Sequence, residues 1–232
     1  MILEVCIDSY EGALLAQKYG AKRVELCSAL TVGGLTPSLA VSQQCSTLEE
    51  IEVHAMLRHR EGDFVYSDAD LMILQKDLIG LSNANVKGIV FGCLSPANEL
   101  DLAKNKALVQ AAKLLDLEVT FHRAFDFVNE PQKVLEQLIE LGFDRLLTSG
   151  QQPTAIEGIT MIQQLVEWAD GRILIMAGSG VNASNAIQLA ETGVDALHFT
   201  SHKLDMQSIT LGMGSKSIPN EEKIASISNL FK

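Results

Sequence analysis

Residues 3–8, Leu-Glu-Val-Cys-Ile-Asp, have the length and apolar content of a buried β-strand, yet Glu4, Cys6 and Asp8 occupy every second position. Leu3, Val5 and Ile7 take the others. Side chains alternate between the two faces of a strand, so one face here is apolar and the other polar. An edge strand with one wet face would give the same alternation. The rest of the chain decides between these readings.

Short apolar runs recur at 3–8, 23–28, 52–58, 87–92, 119–124, 144–150, 173–178 and 196–201, separated by segments of helical periodicity such as PQKVLEQLIELG. Ser9, Thr36 before Pro37, Ser67, and Thr154 with Glu157 mark helix starts. Gly20, Gly142, Gly171 and Gly193 stand just before the next strand, where a helix ends in the left-handed conformation. Eight strands in strict βα alternation, with no linker rich in Pro or Ser, predict one α/β domain, a single (β/α)8 TIM barrel over residues 1–203. A doubly wound sheet more often has five or six strands and a recognisable switch point. Residues 204–232 read as an atypical tail on the same domain: a stretch from Leu204 to Pro219, then a closing helix over Glu221–Leu230.

A barrel strand presents one set of residues to the helix layer and the other to the barrel axis. The helix-facing set must be apolar, as Val5, Ile7, Val24, Leu26, Val53, Ala55 and Leu57 are. The interior set is then Glu4, Cys6, Asp8, Glu25, Cys27, His54, Met56 and Arg58, joined by His122 and His198 if strands five and eight keep phase. Most barrels fill this space with branched apolar side chains. This one is lined with polar groups, which are costly to bury unless they pair. Glu–Arg and Glu–His pairs would make such a lining purely structural. Placed at the C-terminal ends of the strands, the same groups would make a site.

Composition narrows the field. The 232 residues include 47% hydrophobic and 20% charged residues, the balance of an ordinary globular chain. A net charge of −11 argues against a nucleic-acid partner, since such affinity rests on Lys and Arg at phosphates. No apolar run reaches the length of a membrane span, and the N-terminus lacks a basic signal-peptide region. Four cysteines in so long a chain do not suggest a disulfide framework, so a reducing, cytoplasmic location is expected. There is no GxGxxG after the first strand and no P-loop, so no nucleotide cofactor is expected.

LEVCIDS, RVELCS, GGLTPS (33–38), REGDFVYSDAD (60–70), VTFHRAFD (119–126), LLTSGQ (146–151), IEGI (156–159) and IMAGSGV (175–181) together resemble the CutC family, named for copper homeostasis. The resemblance runs from about Met1 to Lys203 and implies a cytosolic, homo-oligomeric barrel for which Cu(I) binding has been proposed. Cys6 and Cys27 match the proposed copper ligands. Neighbouring parallel strands lie about 4.8 Å apart, so two inward thiols near one level could clamp a soft ion, with Met56 adding a thioether. As plain packing residues, the same thiols would be inert. Cys45 and Cys93 read as packing. The chain departs from the family pattern at His59, Glu61, Ala177 and Ser201–Lys203, where the pattern has Pro, Gly, Pro, and an Ala- and Arg-containing stretch.

A second set of residues points to an anion. Arg58, Arg60 and Arg123 leave strands three and five at one barrel face, and guanidinium groups there suit carboxylate or phosphate. Gly178-Ser179-Gly180, before a helix expected to open near Asn182, would offer backbone N–H groups as a cradle, with Gly178 and Gly180 its key positions. Asp8, Glu25 and His122 are acid/base candidates, and Arg123 either swings over the rim or pairs with Asp126. Adjacent strand residues point to opposite sides, so His122 faces inward only if Arg123 does not. Three readings follow: a Cu(I)-binding homeostasis protein, a barrel enzyme acting on a small phosphorylated or carboxylated metabolite, and a scaffold with a structural polar interior.

Overall fold

The computed structural model describes residues 1–205 and 217–232. Eight parallel strands pair in chain order and close on themselves. They are β1 (Ile2–Ile7), β2 (Arg23–Leu26), β3 (Glu52–Met56), β4 (Gly88–Phe91), β5 (Glu118–Phe121), β6 (Arg145–Thr148), β7 (Leu174–Gly178) and β8 (Ala196–Thr200). Helices α1 (Tyr10–Lys18), α2 (Leu39–Cys45), α3 (Asp68–Asn83), α4 (Leu102–Lys113), α5 (Pro131–Leu141), α6 (Ile159–Ala169) and α7 (Ala186–Ala190) follow the first seven strands. The fold is the expected (β/α)8 barrel.

The tail forms an antiparallel pair, β9 (His202–Leu204) with β10 (Ser217–Pro219), and then α8 (Glu221–Ser228). Part of the stretch expected between Leu204 and Pro219 lies outside the described residues. The last helix stops short of Leu230 and passes into a 3-10 turn over Asn229–Phe231. Ile224 and Ile227 are buried in the same apolar core as the barrel helices. Burying two such side chains contributes about 1.5–3 kcal/mol each, which fastens α8 to the barrel.

Local chemistry explains most boundaries. Ser9 caps α1, accepting from the Gly12 N–H, and Gly142 ends α5 at φ +87°. Two expected starts moved. Thr36 spends its hydroxyl accepting from the Arg58 N–H, so Ser38 caps α2 instead. Thr154 and Glu157 do form the reciprocal bonds of a capping box, but the α-helix begins only at Ile159. Ser67 and Asp70 make a full capping box at α3. Ser67→Ala is expected to cost about 1 kcal/mol. Urea unfolding should show this as a lower midpoint with an unchanged slope.

The two faces of each strand separate as the alternation requires. Val5, Ile7, Val24, Leu26, Val53, Ala55 and Leu57 join the core under the helices. Cys6, Cys27, Met56 and Val90 form a separate cluster inside the barrel, and Leu147, Met176 and Ala196 form another. The polar face of LEVCID points inward.

Candidate functional site

The polar interior divides into two levels. Toward the strand N-termini, Glu4 takes an ion pair from the Arg23 Nε, and both residues are almost fully buried. Arg145 pairs with Glu118, and its guanidinium lies 3.3 Å from the Thr120 hydroxyl and 3.4 Å from His54 Nδ1. Burial, then Arg145, holds the His54 imidazole down to about 3, so it is neutral at physiological pH. Strand β4 leaves room for it, since a Cβ on Gly88 would fall 2.4 Å from His54 Nδ1. This level carries the Glu–Arg pairs of a structural network, Glu4 with Arg23 and Glu118 with Arg145, while His54 Nε2 and Arg145 Nε have no hydrogen-bond partner among the described residues.

Toward the strand C-termini the interior opens into a cavity of about 450 Å³. Its floor is Cys6, Glu25, Met56 and His198, and its walls include Leu30, Phe64, Phe127 and Phe199. Cys6 on β1 pairs in register with Glu25 on β2. One ligand atom from each of Cys6, Glu25 and Cys27 lies within 4.8 Å of the others, and the same holds for Glu4, Glu25 and His198. The Cys27 thiol donates to Glu25 Oε2 at 3.5 Å. His198 Nδ1 sits 2.8 Å from Glu4 Oε1, and its Nε2 is 3.7 Å from Glu25 Oε2.

This geometry sorts the protons. The Cys27 thiol, placed to bond to either neighbour, brings Cys6 down to about 5 against the effect of burial, and His198 helps. Cys27 itself is pushed well up by that same contact and by burial. Burial drives the Glu25 carboxyl well above the ordinary range, and Cys6 and Glu4 add to it. Burial opposes charge on His198, but Glu25, Cys6 and Glu4 together raise it well above a free imidazole. The cluster therefore draws Cys6 toward the thiolate and His198 toward the imidazolium. By contrast, burial raises Cys45 to about 11 and Cys93 to about 12, as for inert core thiols.

The donor set suits a soft monovalent cation. Two thiols and the Met56 thioether are ligands that select Cu(I) over harder ions. Gly34, at φ +87°, brings backbone against this group, and a Cβ there would lie 2.9 Å from Cys27 Sγ. The GG pair at 33–34 was visible in the sequence; its packing against a sulfur was not.

The anion candidates are arranged differently from the sequence expectation. Arg58 is buried and lines the cavity, but it donates to the carbonyls of Val32, Gly34 and Gly62 at 2.9–3.0 Å. Arg60 turns away from the cavity, pairing with Asp63 and lying over Tyr66. Strand β5 ends at Phe121, so the alternation rule lapses, and His122 and Arg123 both line the cavity. Arg123 donates to Asp126 at 2.8 Å and to the Ser149 hydroxyl. Asp126 is saturated: it also accepts from Thr148 Oγ1, the Ser149 N–H and hydroxyl, and the Gln151 N–H. It ties the exits of β5 and β6 together.

Asp8 lies one residue past β1, half-buried, and is not part of the cavity lining. Gly178 ends β7 opposite His198, while Ser179, Gly180 and Val181 reach the cavity. The helix expected near Asn182 starts only at Ala186 and spans five residues, and the Asn182 N–H is taken by Asn185 Oδ1. His59, where the family pattern has Pro, contacts Asp70 at 2.9 Å. Lys223 of α8 also lines the cavity. Sequence reasoning missed it, because Glu-Glu-Lys at a helix start reads as a solvated face. Nothing local signals that this helix returns to the barrel mouth.

Fold and site define the class: a closed (β/α)8 barrel with a buried thiol–carboxylate–imidazole cluster beneath a cavity at the C-terminal ends of its strands. Within that class the chain belongs to the CutC family, whose model matches residues 1–203. It is 45% identical over 230 residues to the family protein CutC of Glaesserella parasuis serovar 5 (strain SH0165), covering 97% of this chain and 94% of that one. To the family protein CutC of Vibrio vulnificus (strain YJ016) it is 43% identical over 216 residues, covering 92% and 86%. Among solved structures, the putative copper homeostasis protein CutC of Streptococcus agalactiae superposes with a TM-score of 0.81 at 35% identity. That match covers 86% of this chain and 98% of the other. Among the described residues no helix is long and apolar enough to cross a membrane.

Proposed function

We propose that this chain serves copper homeostasis by binding Cu(I) as cargo between Cys6 and Cys27 in the cytoplasm. The observation that carries this reading is the cluster itself: two thiols and the Glu25 carboxyl group with ligand atoms within 4.8 Å of one another, Cys6 and Glu25 lining the open cavity and Cys27 just beneath them. The Cys27 contact and His198 lower the Cys6 thiol, which eases the loss of its proton on binding. The competition against a chromophoric Cu(I) chelator, under reducing conditions, is expected to give one Cu(I) per chain. A protein that leaves the chelator fully loaded at every ratio does not bind Cu(I) here. Exposed Met72, Ile73 and Ile79 on α3 support the homo-oligomer that the family resemblance implies.

A second reading is favoured by the cavity walls. Arg58 Nε and His122 Nε2 are buried without partners and belong to residues facing the cavity. Unsatisfied buried donors are costly and point to a ligand that supplies acceptors. This reading is a barrel enzyme for a small phosphorylated or carboxylated metabolite, with Glu25 as the acid/base group and His122, held neutral by burial, as a hydrogen-bond donor. Asp8, Arg123 and Asp126, candidates from the sequence, would serve it at most as supports.

A further inference from the structure

Three residues that line one cavity each keep a nitrogen without an acceptor among the described residues. His122 Nδ1 accepts from the Ala124 N–H at 3.2 Å, so in the neutral ring Nε2 carries the hydrogen and can only donate. Arg58 has spent its terminal nitrogens on three carbonyls and keeps Nε free. Lys223, half-buried in the first turn of α8, has no carboxylate within 4.0 Å among the described residues. Arg58 has none either. In a chain with 29 acidic and 18 basic residues, two uncompensated cations on one cavity are not a product of average surface charge.

The surroundings hold these donors in place. The Phe64 ring lies 4.7 Å from the His122 ring and 5.3 Å from the Arg58 guanidinium, fixing both. Leu30, Phe127 and Phe199 line the same space with apolar surface. Burial lowers the Lys223 pKa, the mark of an ammonium drawn partly out of water. The backbone turn after β7 is a poorer anion holder than the sequence implied, because α7 begins too late and the Asn182 N–H is occupied.

We propose that the cavity binds a small organic oxyanion, a carboxylate or phosphate monoester on a compact apolar body, with Lys223 supplying the charge and His122 Nε2–H and Arg58 Nε–H the directed hydrogen bonds. The proposal deepens the second reading above and rests on it. The C-terminal helix is then part of the binding site rather than only a closing element.

Calorimetric titration with three probes tests this: phenyl phosphate, benzoate and inorganic phosphate, at low ionic strength. Wild-type protein is expected to bind phenyl phosphate or benzoate saturably, and more tightly than inorganic phosphate. Lys223→Ala and Lys223→Gln should each weaken that binding about ten-fold or more, as loss of a charged hydrogen bond does. Lys223→Arg should keep most of it, and Lys203→Ala, an exposed lysine outside the cavity, should leave it unchanged. Melting curves establish that each variant is folded. If none of the probes binds wild-type protein saturably, the anion reading itself falls. If wild type binds but both uncharged Lys223 variants bind equally well, the reading stands and the role of Lys223 is wrong.

Discussion

Arg23→Met is expected to destabilise the barrel by about 3–5 kcal/mol, the usual cost of removing one partner from a buried ion pair. Glu4 and Arg23 are 1% and 3% exposed, so water cannot replace the lost guanidinium. His198 holds only the other carboxylate oxygen. The effect should depend on pH in a definite direction. Burial opposes ionisation of Glu4, but Arg23 and His198 outweigh it and hold its pKa below the ordinary carboxylate range. A depressed folded-state pKa contributes stability above the unfolded value of about 4.3 and loses it as pH falls through the folded value. Without Arg23 that contribution vanishes, and burial lets the variant's Glu4 take up a proton more easily. The unfolded value cancels between the two proteins, so the deficit should be largest where Glu4 is ionised in both and shrink as pH falls through the variant's Glu4 value, which burial raises. Urea unfolding across that range measures it. An equal deficit at both ends would mean that Arg23 acts by packing rather than by charge.

The barrel was legible because its constraint is local. Each strand must turn an apolar face to the helices, so an alternating strand in βα order can only turn its polar face inward. Val5 and Cys6 on opposite faces, and the interior row Cys6, Cys27 and Met56, follow from that. What polar partners do is not local. Nothing in RVEL or RLLT says that Arg23 finds Glu4 or that Arg145 finds Glu118, although both arginines share the parity of inward positions. The glycines of KGIVFG show the same limit. Gly88 and Gly92 look like weak strand residues until His54 and His122 are seen filling the space that a Cβ would take, 2.4 and 2.8 Å from their Nδ1 atoms.

Element ends were the other weak point, and the site misreadings gather there. Asp8 falls just beyond β1, where period two no longer governs direction, whereas Arg123, just beyond β5, makes the pair with Asp126 that the sequence offered. Arg60 follows a turn that pairs it with Asp63. Arg58, expected to meet a ligand with its full fork, instead fastens the loops after β2 and β3. An Arg58→Ala phenotype would mix loop disorder with lost binding, which is why Lys223 is the sharper probe of the cavity.

Cys6→Ser and Cys27→Ser are each expected to lower Cu(I) affinity by about two orders of magnitude or more, because a hydroxyl is a poor ligand for a soft cation. The two should differ in pH dependence. Wild-type affinity should rise with pH, since Cys27, pushed up by Cys6 and burial, would have to lose its proton when the metal binds. Cys27→Ser removes that proton but also the thiol contact that lowers Cys6 most, so Cys6 should ionise less readily and the residual profile should follow Cys6 alone. Cys6→Ser removes the contact that raises Cys27 most, so the Cys27 thiol should ionise more readily and the residual profile should move to lower pH. Met56→Leu keeps the shape of the cluster without the thioether, and a smaller loss there would place Met56 as a third ligand. Cys93→Ala is the control: its thiol belongs to the outer core and should leave affinity unchanged. Wild-type affinity in both serine variants would remove copper from this cluster. The lowered Cys6 thiol beside the raised His198 imidazole would then need an explanation in the chemistry of the cavity above it.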